Sequence, residues 1–227
     1  MRRFDVACCA TVLAVALGWP VTSPAVEFSL LPALPTELAS ERLLLDAAVD
    51  GQRVLVGGEQ GNILYSEDKG ASWFQADVPV SLAVTSVAFA GDGRAWATAH
   101  DGYLLASRDS GATWEVSLTG SDVAELSVNA LEAQVEALRV ALDEATPETR
   151  TDAEWALDDA EFALDEARIA IDEGMTSPLL EAWFIDERVG YVLGAYGVFL
   201  RTDDGGDTWV SHADRLVNPD SYHLYGL

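Results

Sequence analysis

The side chains best placed to do chemistry are three carboxylates, Asp68, Asp109 and Asp204, each set between hydroxyls. They stand in Ser66-Glu67-Asp68-Lys69-Gly70-Ala71-Ser72-Trp73, Ser107-Arg108-Asp109-Ser110-Gly111-Ala112-Thr113-Trp114 and Thr202-Asp203-Asp204-Gly205-Gly206-Asp207-Thr208-Trp209. The shared pattern is Ser/Thr-x-Asp-x-Gly-x-Ser/Thr-Trp. A carboxylate so placed is a candidate acid or base, but the spacing specifies a hairpin turn. The Asp accepts backbone N–H groups inside the turn. Gly supplies a backbone angle closed to other residues, and the hydroxyls tie the two strands. The Trp packs its ring beneath, where its N–H still finds a partner. Ser66, Asp68, Gly70 and Trp73, with Ser107, Asp109, Gly111 and Trp114 and with Thr202, Asp204, Gly206 and Trp209, are therefore read as structural.

Other chemistry is sparse. His100, His212 and His223 are scattered, with no pair at metal-ligand spacing. The only cysteines, Cys8 and Cys9, sit in an N-terminal apolar run, so the rest of the chain offers no disulfide framework and no thiolate metal site. No Gly-rich phosphate loop, nucleophile elbow or Cys–His pair occurs. No cofactor is expected.

The elements that carry the turns repeat with them. Gly61-Asn62-Ile63-Leu64-Tyr65 lines up with Gly102-Tyr103-Leu104-Leu105-Ala106 and Gly197-Val198-Phe199-Leu200-Arg201. Short apolar runs broken by Gly and Asp predict small antiparallel strands. Trp73 and Trp114 are 41 residues apart, the length of a four-stranded propeller blade. Trp114 and Trp209 are 95 apart, which leaves 54 residues beyond one blade. The fold class expected is mainly β, with about three β-propeller blades and an inserted antiparallel α-helical hairpin.

The repeated pattern is the Asp-box, or BNR, motif, and the repeats resemble the propeller family of photosystem II assembly and stability factors. The resemblance covers about residues 40–120 and 178–227. It implies a non-enzymatic scaffold that holds protein partners, subunits of membrane complexes. Sialidases also carry Asp-boxes, but they need an arginine cluster and a Tyr–Glu nucleophile pair. Arg42, Arg53, Arg94 and Arg188 belong to no recognisable sialidase motif.

The extra residues, about 121–177, have no Gly before Gly174 and are rich in Ala, Leu and Glu. Ala124, Val128, Leu131, Val135, Leu138, Leu142 and Ala145 form a heptad seam. Thr146-Pro147 interrupts it, with Pro147 suited to the first turn of a second helix. Leu157, Ala160, Leu164, Ala167 and Ile171 then repeat the spacing. Two antiparallel helices, each roughly 35 Å long, are expected. They should leave the propeller on the face of the loops at Glu59-Gln60, His100-Asp101 and Ala195-Tyr196.

A second apolar line, Trp155, Phe162 and Ile169, lies about 160° from the seam at 100° per residue. It either rests on the propeller or on a rotated first helix, or it docks another protein. Residues 121–177 hold 16 acidic and 3 basic residues, more than half of the chain's net −25. That charge repels nucleic acid and anionic lipid. Helical carboxylates without a Gly-turn loop do not make a calcium site.

At the N-terminus, Arg2 and Arg3 precede the apolar run Val6 to Leu17, and small residues follow to Ala25. This predicts a cleaved signal peptide over residues 1–25 and a periplasmic or otherwise exported protein. The remaining divisions expected are 26–120 for two blades, 121–177 for the hairpin, and 178–227 for a third blade and the start of a fourth. That last segment implies an incomplete propeller. The functional expectation is a non-enzymatic exported scaffold. The alternatives are an accessory subunit of an envelope transport complex, and a sialidase-like glycosidase.

Overall fold

The computed structural model describes residues 31–216, 218 and 222–226. The signal-peptide expectation therefore lies outside the described residues. Three four-stranded antiparallel sheets follow one another in chain order, each pairing its strands consecutively. Blade one holds β1 (Leu44–Asp50), β2 (Arg53–Gly58), β3 (Ile63–Ser66) and β4 (Phe74–Gln75). Blade two holds β5 (Val84–Gly91), β6 (Arg94–Ala99), β7 (Leu104–Ser107) and β8 (Glu115–Leu118). Between blades two and three stand α1 (Gly120–Asp143) and α2 (Arg150–Asp172). Blade three holds β9 (Leu179–Phe184), β10 (Gly190–Gly194), β11 (Phe199–Thr202) and β12 (Val210–Ser211).

The first strands of the blades, β1, β5 and β9, pack against one another, so they form the inner edge of a fan. Side chains tie that edge: the Asp46 carboxylate accepts the Val87 N–H at 2.8 Å, and the Thr85 hydroxyl donates to the Leu179 carbonyl at 2.7 Å. Strand periodicity then sorts the cores. Along β6, Ala95, Ala97 and Ala99 enter the core between blades one and two, while Trp96 enters the core between blades two and three. On β7, Leu105 faces the first core and Leu104 the second. The middle strands of each blade meet in the same kind of turn. Gln60-Gly61, Asp101-Gly102 and Tyr196-Gly197 all have positive φ, as a two-residue hairpin turn of the favoured twist requires.

The two linkers between blades differ in form and share a task. After β4, Ala76, Val78, Val80 and Leu82 alternate into the first core, and Asp77 bonds through its backbone to Ala112 and Trp114 in the second blade's turn. After β8 the chain enters α1 instead, and Val123 and Leu126 pack into the second core. Thr119 caps this helix: its hydroxyl accepts the Asp122 N–H, and the Asp122 carboxylate accepts the Thr119 N–H at 2.7 Å. The first turns of α1 thus wedge against blade three where an extended segment wedges against blade two.

The hairpin is antiparallel. Val135, Ala160 and Leu164 form its buried seam, with Val128, Leu131, Leu138 and Leu157 around them. Arg139–Glu161 at 2.6 Å and Arg168–Glu132 at 2.7 Å bridge the helices in matching register. Pro147 does not start α2. It lies in a turn closed by Arg150 N–H to the Thr146 carbonyl, and the helix begins three residues later. Ile171, assigned to the seam by spacing, is exposed at 37% because the seam runs out near the helix end. Among the described residues, no helix is long and apolar enough to cross a membrane. Near the end of the chain, the described residues form no strand; Leu224 donates one backbone bond to Gly194.

The three turn tryptophans occupy unequal surroundings. Trp114 and Trp209 are 7% and 6% exposed, each against the preceding blade, whereas Trp73 is 40% exposed. Blade one has no preceding blade among the described residues to pack on that ring. Trp114→Ala should therefore cost about 3–5 kcal/mol, as for a buried aromatic, and Trp73→Ala well under half of that. Urea denaturation followed by circular dichroism measures both, and equal losses would contradict the packing described.

Candidate functional site

Each repeated turn is closed by one hydrogen-bond network. In the first, the Ser66 hydroxyl donates to the Asp68 carboxylate at 2.9 Å and accepts the Gly70 N–H at 2.8 Å. Asp68 also accepts the Ser72 N–H at 2.7 Å and the Ser72 hydroxyl at 2.6 Å. The second turn repeats this with Ser107, Asp109, Gly111 and Thr113, and the third with Thr202, Asp204, Gly206 and Thr208. The two hydroxyls reach the Asp from opposite ends of the turn, and the first also accepts the Gly N–H, so the turn's ends are joined through the carboxylate.

These bonds favour the ionised Asp. The Thr208 hydroxyl and N–H, with Thr202, hold Asp204 down at about 2. The Ser72 hydroxyl and N–H lower Asp68 in the same way. At Asp109 burial works upward, and the bonds from Thr113 and Ser107 overcome it, so its pKa is lowered too. Carboxylates held ionised and donated to from several sides are poor proton donors near neutral pH.

The turns also join the blades. A side chain at Gly111 would strike Leu55 of blade one, and one at Gly206 would strike Trp96 of blade two; both glycines have φ near +90°. At Gly70 an added carbon meets only its own turn's Trp73, at 3.3 Å. The Trp114 indole donates to the Gly111 carbonyl at 3.0 Å, while the buried Trp209 indole N–H has no partner. Trp209 instead meets Trp96 edge-on, with ring centroids 5.5 Å apart.

Two arginines do work that the sequence pattern does not name. Arg53, at the start of β2, reaches the Asp109 and Ser110 carbonyls of the next blade's turn at 3.4 and 3.5 Å. Arg94, at the start of β6, reaches the Gly205 carbonyl at 3.2 Å. Their shared place in the repeat was the signal, and only packing shows its use. Arg188 donates to the Asp203 carbonyl within its own blade, and Arg42 to Gln60. These four do not gather around one pocket. His212 lies edge-on to Phe199, and His223 rests on Tyr196 and Tyr225. Among the described residues no group of His, Cys, Asp and Glu is placed to hold a metal. Near the inner edge, burial raises the pKa of Glu181, and the Asp46 charge adds to it.

The hairpin presents the other candidate surface. Trp155, Phe162 and Ile169 are 65%, 68% and 48% exposed along one line of α2. The line rests neither on the propeller nor on α1. The reason is geometric: the seam turns one side of α2 toward α1, and α1 itself takes the side toward β8 and β12. The sequence did not single out Val123 and Leu126, which fasten α1 to the blades. They fall outside the heptad seam. The hairpin's two ends meet beside Asp101 and Gly102, where Gly120 and Thr176 crowd together.

These features define a β-propeller blade array with a protruding acidic helical hairpin. No protein-family model matches the chain, and no curated protein does. Among solved structures it is similar to YCF48 bound to a D1 peptide, at 13% identity and a TM-score of 0.46, over 75% of this chain and 40% of that one. It is also similar to YCF48 from Cyanidioschyzon merolae, at 16% identity and a TM-score of 0.45, over 78% and 41% of the two chains. The GH74 enzyme of Niastella koreensis matches at 14% identity and a TM-score of 0.38, over 74% of this chain and 17% of that one. The chain spans about two fifths of the length of the YCF48 chains.

Two outcomes follow. Gly111→Ala and Gly206→Ala should each cost about 2–4 kcal/mol, combining positive-φ strain with overpacking against the preceding blade. Gly70→Ala should cost about 1–2 kcal/mol from strain alone; urea midpoints rank the three. A depressed Asp204 pKa stabilises the fold above the unfolded value of 3.8, and that stability is lost as pH falls toward about 2. Asp204→Asn should lower stability at neutral pH and flatten the acid limb over that window, read from urea midpoints against pH.

Proposed function

We propose that this protein is an exported, non-catalytic scaffold that holds protein partners belonging to membrane complexes. The observation that carries the reading is the division of labour between the blades and the hairpin. The blades lock their repeated carboxylates into turns, while the inserted hairpin leaves an apolar line open to solvent. The sequence resemblance to photosystem II assembly and stability factors, and the Asp-box reading of the three turns, support it further. YCF48 is itself described bound to a D1 peptide. In this reading the blades are a rigid platform, and the acidic hairpin extends their reach.

Export is part of the proposal. Expression of the full chain in its host, followed by fractionation and mass measurement, should give an exported protein shortened by cleavage near Ala25. Chemical cross-linking in solubilised membranes should then link the full chain to integral membrane subunits. Retention in the cytoplasm with an intact N-terminus would refute the export element. Turnover of a fluorogenic sialoside, abolished by changing one carboxylate, would replace the scaffold reading with the glycosidase one.

A further inference from the structure

We propose that the Trp155–Phe162–Ile169 line is the docking surface for a cationic amphipathic helix of a partner protein, an inference that rests on the scaffold reading and names its partner's chemistry. The three side chains recur every seven residues, so they stand about 10 Å apart along α2 and make a seam about 21 Å long that drifts about 20° per step around the helix. A surface of that form accepts a helix with its own heptad-spaced apolar residues, one knob between each pair. All three side chains are more exposed than a buried seam permits, and α1 occupies the opposite side of α2.

Charge selects among occupants. By helical position, Asp158 and Asp165 flank the line on one side, and Asp159 and Glu166 on the other, all exposed. Of these only Asp165 has a cation near, Arg168 at 4.0 Å, and that arginine is committed to Glu132 across the hairpin at 2.7 Å. The other arginines of the hairpin are also paired, Arg139 with Glu161 and Arg150 with Glu154. The apolar line is therefore bordered by carboxylates whose countercharge must come from outside. Lys or Arg beside the incoming seam supplies it. A second copy would bring another acidic hairpin and repel, as would an anionic membrane surface.

The test uses the purified full chain and a synthetic peptide of about three heptads, with Leu on its seam and Lys beside it. Isothermal titration should show binding that weakens as salt rises toward ~0.5 M. Trp155→Ser/Phe162→Ser/Ile169→Ser should raise Kd at least about tenfold with helicity by circular dichroism unchanged. Should that variant lose helicity, Asp158→Asn/Asp159→Asn/Glu166→Gln keeps the seam and should weaken binding by itself. Absence of binding, equal binding by the triple Ser variant, or equal binding of a peptide with Glu for Lys would overturn the proposal. So would self-association of the full chain that the triple Ser variant abolishes, since the face would then belong to a second copy. Binding to phosphatidylglycerol vesicles through the same residues would do the same. The two readings fail separately: peptide binding without membrane cross-links sinks the scaffold reading alone. Cross-links undiminished in the triple Ser variant sink this surface alone.

Discussion

The blade array depends on how each repeated turn seats against the blade before it. The turn of blade two lies on Leu55 of blade one, and the turn of blade three lies on Trp96 of blade two, in each case through a glycine with no room for a side chain. Around that contact the same parts assemble twice. An arginine from the preceding blade reaches the turn's carbonyls, and the turn's tryptophan closes the core between the sheets. The Asp network contributes by satisfying the turn's N–H groups from within, while the arginine supplies donors to its carbonyls.

The insertion fits this arrangement instead of interrupting it. Between blades one and two the linker alternates apolar side chains into the core and bonds to the next turn. Between blades two and three the first turns of α1 bring Val123 and Leu126 to the corresponding place. The hairpin is thus fastened at its base by the core it helps to fill. Beyond the base, α1 and α2 hold one another through a narrow seam and two cross-helix ion pairs, both exposed and of modest worth singly. Stability concentrates in the blades, and the outer face of α2 is left free for another use.

Much of this was legible in the residues. Three copies of one eight-residue turn, with matching strands upstream and one blade-length interval, specify sheets in series. Alternating three- and four-residue apolar spacing specifies the helices. Some details escaped: Pro147 lies before α2 and not in its first turn, because a separate turn through Thr146 joins the helices. The exposure of Trp73 escaped too, since an identical motif says nothing about whether a neighbour stands over it.

The sequence by itself determined local form: turn type, strand and helix, and which side of each helix is apolar. These follow from interactions within a few residues, where spacing and side-chain chemistry suffice. Only the tertiary structure decided which apolar faces are used. It gave Val123 and Leu126 to the blades, gave Arg53 and Arg94 to the next blade's turn, and left Trp155, Phe162 and Ile169 in solvent. Burial is a property of what lies opposite a side chain, and the chain's own periodicity carries no record of its neighbour.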